Sequence, residues 1–274
     1  MKNIFVSIDF SAASRNACKY AASLAEIFRS KVTLVNVVPD TLIIDEDAAE
    51  ATINMHQEVV AANNDLMAKE IKTLSKNHKT KIIGYVYEGL PSDVIFEIAN
   101  EFNPDIIIMG MKGNGKSNSV FGSTVTAIVR KSSVPVLIIP ERAPYQSIDT
   151  ITFATDFNPG IEKDNYSLLM KIAKKYHSFI QILNVQKKEM VIKDEEFIGK
   201  MRTFSVFTNE KHNFNTIEDN SVVEGINQFI RGNTSDMLVM MAHRHSFFER
   251  MIGKVHTTKM SYETKMPLLI LQNK

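Results

Sequence analysis

The chain has no tryptophan and a single cysteine, Cys18. One cysteine excludes an internal disulfide. Its surroundings, Ala17-Cys18-Lys19-Tyr20-Ala21-Ala22, have helical character, where a thiol serves as a small buried apolar group; a reactive thiol would need a lowered pKa. An excess of one charge is missing too: 32 basic and 31 acidic side chains leave a formal +1. That balance sets up no global field toward nucleic acid or an anionic membrane, so neither is expected as a partner. No apolar run approaches the roughly 20 residues that span a bilayer. The aspartate at position 9 comes too early for the apolar core of a signal peptide. A cytoplasmic location is the expectation.

What is present is the composition of a globular protein with true cores, 44% hydrophobic and 23% charged. At 274 residues the chain is long for one domain and comfortable for two, taking roughly 150 residues per domain. Strand-like runs alternate with helical ones: Ile4–Ile8, then Ser11–Arg29; Val32–Val38, then Glu46–Asn77; Lys81–Tyr87, then Ser92–Phe102. Asp105–Met109 and Val134–Ile139 follow, separated by a helix at about Gly122–Lys131. Strands apolar throughout and alternating with helices belong to a parallel sheet covered on both faces. The first half is therefore expected to be a doubly wound α/β sheet.

The second half repeats the first. Asn3-Ile4-Phe5-Val6-Ser7-Ile8-Asp9-Phe10 aligns with Thr150-Ile151-Thr152-Phe153-Ala154-Thr155-Asp156-Phe157, and Leu34-Val35-Asn36-Val37 with Ile182-Leu183-Asn184-Val185. Asp105–Met109 matches Asp236–Met240, Gly122 matches Gly253, and Val134-Pro135-Val136 matches Met266-Pro267-Leu268. Every pair holds the same place in the strand–helix order, so an internal duplication is the economical explanation. Pro140 and Pro144 interrupt regular structure between the copies, which places the two domains at 1–141 and 147–274. The expected fold is two tandem doubly wound α/β domains, each a five-stranded, mostly parallel sheet flanked by helices. The second copy has lost residues around Lys187–Asn213, so its middle helix should be the shorter. Ser11 and Asn158 are candidate helix caps, with Pro159 suited to a first helical position.

The chemistry concentrates in Met109-Gly110-Met111-Lys112-Gly113-Asn114-Gly115-Lys116 and, beyond it, Gly122-Ser123-Thr124. This stretch leaves the C-terminal end of the fourth strand, where open α/β sheets bind ligands. Gly110 and Gly113 let backbone amides approach an anion. Gly122, Ser123 and Thr124 open a helix, whose free N–H groups and positive dipole end attract phosphate. Lys112 and Lys116 can supply charge. Turn-making glycines and a Ser123 cap would explain the same residues without a ligand.

Gly110-x2-Gly113-x8-Gly122-Ser123 resembles the Gly-x2-Gly-x9-Gly-Ser/Thr signature of ATP-binding universal stress proteins, one residue shorter than the usual spacing. The opening Asn3–Ser11, the Gly89-Leu90-Pro91 turn, Asp105–Gly110 and Val134-Pro135-Val136 are similar as well, so the resemblance runs nearly the whole chain, twice. It implies an adenine nucleotide alpha hydrolase-like architecture and ATP, held with Mg, in the first domain. Asp9 would then lie near the ribose and metal-bound phosphates, and Val37 or Val38 beside the adenine. Met109, Gly110, Lys112, Gly113, Gly122, Ser123 and Thr124 would form the phosphate loop. Relatives with one module commonly dimerise through the last strand, so Val134–Ile139 and Pro267–Leu271 are expected to pair within the chain as a pseudo-dimer, with a further homodimer open.

In the second copy Met241 and Arg244 replace the first two glycines and Lys254 replaces the serine. Nucleotide binding in the family's manner is not expected there. His243, Arg244 and His245 can pack or pair with acids; Arg244, Arg250 and Lys254 can bind an anion; His243, His245 and His256 can share a metal ion, although no cysteine or nearby acid completes a ligand set. No Walker lysine follows the glycines and no motif gathers a nucleophile with a base. The chain is expected to be a regulatory nucleotide binder without efficient catalysis. A nucleotide-independent scaffold and a very slow ATPase are the alternatives.

Overall fold

The computed structural model describes residues 1–40, 49–112, 122–158, 160–186, 194–242 and 266–273. The first half runs β1 (Asn3–Ser7), α1 (Ala12–Phe28), β2 (Lys31–Val38), α2 (Ala49–Asn77), β3 (Ile82–Glu88), α3 (Pro91–Phe102), β4 (Ile106–Met111), α4 (Ser123–Lys131) and β5 (Val136–Pro140). The second runs β6 (Thr150–Ala154), a 3-10 turn (Lys163–Tyr166) into α5 (Ser167–Tyr176), β7 (Phe179–Gln186), α6 (Asp194–Phe207) and β8 (His212–Glu218). It ends with α7 (Val222–Gly232), β9 (Met237–Ala242) and β10 (Leu268–Gln272). At 14 residues α6 is the shorter middle helix, against 29 in α2. Among the described residues no helix is long and apolar enough to cross a membrane.

Among the described residues the strands form one ten-stranded sheet in the order β3-β2-β1-β4-β5-β10-β9-β6-β7-β8. Pairing is parallel inside each half. The last strands, β5 and β10, meet antiparallel with Leu137 opposite Leu269. Those two leucines are also equivalent in the duplication, since Val136 aligns with Leu268. An interface in which equivalent residues face each other is isologous, so a pseudo-two-fold axis passes between Leu137 and Leu269.

Apolar alternation along the strands builds a core on each face. One face joins Ile4, Val6, Leu34 and Ile108 to α1 residues such as Ala17, Cys18 and Leu24, and continues through Leu137, Leu269 and Phe153 to Leu169 of α5. The other joins Phe5, Val35, Ile107 and Met109 to Val125 and Ile128 of α4, and continues through Ile138 and Ile270 to Ile226 of α7. Both cores cross the seam between the halves, so each half buries the other's last strand. Cys18 lies wholly inside, and burial pushes its thiol pKa well up, in keeping with an inert packing role.

The duplication extends to side-chain hydrogen bonds. Asp105 accepts from the amides of Lys2 and Asn3, and Asp236 from those of Asp149 and Thr150. The Ser30 hydroxyl donates to the Met1 carbonyl and the Ser178 hydroxyl to the Ile148 carbonyl. Asn36 donates to the Ile8 carbonyl and Asn184 to the Thr155 carbonyl. Phe10 and Phe157, at matching positions, both adopt positive φ, 58° and 53°.

One expected cap is corrected. Ser11 caps α1, accepting from the Ser14 amide. Asn158 does not cap a helix: its side chain accepts from the Gly160 amide, and the helical segment starts later, behind a Glu162 capping box. The reciprocal Glu162–Asn165 bonds satisfy two free amides at once, and that outcompetes a single Asn cap followed by proline.

Burial alone would raise the Asp105 carboxyl; the Asn3 and Lys2 amides and nearby cations including Lys171 outweigh it and hold its pKa below the ordinary 3.8. A lowered folded-state pKa adds stability above that value and loses it as pH falls through the folded pKa. Asp105→Asn should therefore destabilise the protein by about 1 kcal/mol at neutral pH, a hydrogen-bond figure already reduced for partial exposure. The difference from wild type should shrink in denaturant melts as pH falls below 3.8 and on through the lower folded-state pKa. An undiminished difference there would rule out the carboxylate's charge as the cause.

Candidate functional site

The strand order places β1 beside β4, and the chain leaves these strands toward opposite faces. After β1 it enters α1 on one face, and after β4 it reaches α4 on the other. This is the switch point where a doubly wound sheet opens a crevice at its C-terminal edge. Ser7 pairs with both Val35 and Met109. Continuing that register brings Asp9, Val37 and the Met111–Lys112 end of β4 into one row along the edge.

The turn after β1 is built from short-range bonds. The Ser11 amide donates to Asp9 Oδ1 at 3.0 Å and the Asp9 amide donates to Ser14 Oγ at 3.3 Å. Arg15 Nε donates to the Phe10 carbonyl at 3.0 Å, and Nε lies 3.7 Å from the buried Glu70 of α2. A guanidinium thus ties the left-handed Phe10 turn to a neighbouring helix. Partial burial would raise the Asp9 carboxyl, but hydrogen bonds from Ser11 and Ser14 and the charge of Lys112 outweigh it and lower its pKa. Asp9 is consequently an anion at neutral pH, solvent-exposed, with Lys112 close enough to feel it.

The two candidate hydrophobic residues separate by face. Val38 is buried, at 4% exposure, while Val37 is half-buried and packs on the face that carries α4. Met109 is buried in that same core, so only its backbone reaches the edge. Gly89 follows with φ 131°, a conformation that favours glycine, and its amide donates to the Val38 carbonyl, closing the neighbouring turn.

The loop glycines have different reasons to be glycine. A Cβ on Gly110 would stand 2.5 Å from the backbone C and O of Ala13 and 2.6 Å from the Ser14 amide nitrogen. Gly110 is thus required by close packing of β4 on α1, a constraint that sequence reasoning assigned to an approaching anion. Gly122 is the opposite case. It is the N-cap of α4 with φ −60° and ψ 157°, and no side chain caps the helix. Among the described residues nothing lies within 4 Å of a Cβ built there. Ser123 is exposed and Thr124 half-buried at the first two helical positions. Gly113 and Lys116 lie outside the described residues.

Two features of the site were not anticipated. Nothing in the sequence pattern singles out Arg15, and only the tertiary fold brings Glu70 to it. Asn36 is buried with its Oδ1 unpartnered among the described residues, as is Asn184 in the other half. A polar residue repeated within two aligned apolar strands was the available signal for that pair.

In the second half the equivalent turn is held differently. Phe157's amide donates to Thr155 Oγ1, and Lys200 Nζ of α6 sits 5.9 Å from the Phe157 ring centroid. Glu162 stands where the first half has Arg15. Residues His243, Arg244, His245, Arg250, Lys254 and His256 lie outside the described residues. Among those described, no three His, Cys, Asp or Glu side chains cluster as a metal site would need.

The architecture defines a tandem α/β protein with a topological switch point and a helix N-terminus at the C-terminal edge of its first half. The family model described as "Universal stress protein family" matches residues 1–140. The chain belongs to the universal stress protein family. It is 25% identical over 242 residues to universal stress protein Slr1230 of Synechocystis, covering 83% of this chain and 76% of that one. It is 27% identical over 139 residues to universal stress protein MJ0531 of Methanocaldococcus jannaschii, covering 50% and 81%. A universal stress protein of Archaeoglobus fulgidus has a similar structure end to end, with a TM-score of 0.72, 16% identity and 99% and 98% coverage. At that identity the likeness concerns the fold alone.

Proposed function

We propose that the chain is a regulatory protein that holds Mg-ATP on the C-terminal edge of its first half, with little or no turnover. The observation that carries this reading is Gly122. Among the described residues neither backbone conformation nor crowding calls for glycine there, and a serine or threonine would cap α4 better. A group that needs the bare backbone, such as a phosphate on the first amides of a helix, supplies the missing reason. Ser123 and Thr124 add hydroxyls to those amides. In this reading Asp9 serves as an anion for the metal-bound end, Lys112 compensates charge, and Val37 offers an apolar edge on the α4 side. ATP would supply the triphosphate and its Mg ion; the protein's part is to bind and orient it. Occupancy then biases the conformation or assembly of the two halves.

The test is thermal and chemical unfolding with and without Mg-ATP. A ligand at 100 times its Kd stabilises by about 2.7 kcal/mol. Gly122→Val should change the free protein by no more than about 1 kcal/mol, the range of an N-cap change, while abolishing the nucleotide shift. No shift in the wild-type protein at millimolar Mg-ATP would leave the nucleotide-independent scaffold as the better reading. A shift that survives Gly122→Val would move the site elsewhere.

A further inference from the structure

Helix α4 begins at the candidate phosphate site and ends against the other half of the molecule. Its last carbonyls are the ones a helix leaves without internal partners. The Ser132 amide takes the Ile128 carbonyl, and Gln272 Nε2, from the last residue of β10, donates to the Val129 carbonyl at 3.2 Å. Gln272 is 143 residues away in sequence and buried, at 8% exposure. Its own carbonyl accepts from Asn165 Nδ2 at 2.8 Å, and Asn165 is fixed by the Glu162 capping box. It also pairs in register with Ala242, the last residue of β9. Gln272 is therefore held firmly in the second half while its side chain reaches across the seam.

We infer that Gln272 is a positioning residue for the nucleotide site of the first half: the second half caps α4 in trans and so fixes the helix whose other end receives phosphate. Three facts point this way. α4 is only nine residues long, so its two ends move together. Among the described residues no side chain caps its N-terminus, so the bonds at its C-terminal end and its packing are what the described structure offers to place it. Gln272 stands on the C-terminal edge of the second half, next to the strand from which the altered loop at residue 243 departs. One short helix thus spans from the C-terminal edge of the first half's sheet to the C-terminal edge of the second half's.

The inference rests on the nucleotide reading for its functional part, and its structural part is tested without ligand. Gln272→Met removes the donor and keeps the length. Asn165→Asp keeps the acceptor for the Glu162 amide and removes the donor to Gln272. Amide hydrogen exchange in the free protein should accelerate about threefold to tenfold across α4 in both variants, the size of one hydrogen bond, with β1, β2 and β7 unchanged. Titration with Mg-ATP should weaken by a similar factor. Unchanged exchange in α4 would overturn the trans cap. Faster exchange with an unaltered nucleotide Kd would overturn the positioning role. If wild-type protein binds no Mg-ATP at all, the function proposed above fails, and the exchange measurement still decides whether Gln272 caps α4.

Discussion

Gly110→Ala is expected to destabilise the ligand-free protein by about 3 kcal/mol, the upper part of the range for overpacking a tight core. The atoms its new Cβ would meet are the backbone of Ala13 and the amide nitrogen of Ser14, all at 2.5–2.6 Å. Backbone cannot swing aside as a side-chain tip can, so either α1 must lift from β4 or the strand must shift. Both movements disturb residues buried completely, including Ala17 and Ile108. Urea or guanidinium unfolding of the free protein reads the effect directly. A loss below about 1 kcal/mol would mean that α1 can relax, and that Gly110 is glycine for another reason. The contrast with Gly122 is the informative part: Gly110 is packed against the backbone of α1, whereas nothing among the described residues crowds Gly122.

Leu137→Ala and Leu269→Ala should each remove about 2–5 kcal/mol, the range for emptying a buried leucine site. Both side chains are fully buried and they face each other across the pseudo-two-fold axis. Two cores meet the seam, so a cavity there is lined from both halves and has few ways to collapse. Because the positions are equivalent, the two losses should be similar, and the double variant should lose less than their sum, since neighbours share one cavity. Denaturant unfolding followed by probes in each half would check both points. Independent unfolding of the halves in wild-type protein, with no response to either substitution, would show that the seam contributes little.

Much of the fold was readable because its signals are local and repeated. Uninterrupted apolar strands such as Ile106-Ile107-Ile108-Met109 and helix caps such as Ser11 need no distant partner to be recognised. The second copy then confirmed the order of elements. The pairing of β5 with β10 came from the family resemblance, since nothing in either strand's pattern names its neighbour. What remained hidden depended on distance in sequence. Arg15 and Glu70 meet only when α2 packs beside α1. Gln272 meets Val129 only across the seam. Gly110 was visible as important, but the spacing that marked it could not say whether helix or ligand approached it. Asn158 misled because an Asn-Pro cap is a strong local pattern, yet the Glu162–Asn165 pair was stronger.

The antiparallel meeting of β5 and β10 carries an evolutionary consequence. In a dimer of identical chains, every substitution in the binding loop appears at both sites, so a change that ruins one ruins the other. Here both partners sit in one polypeptide, and the seam constrains the strands that meet there and the C-terminal end of α4 rather than the loops. Selection can keep Gly122 in one loop while Met241, Arg244 and Lys254 accumulate in the other. The fused pair is free to become a machine of two unlike parts, in which each loop can change without its counterpart.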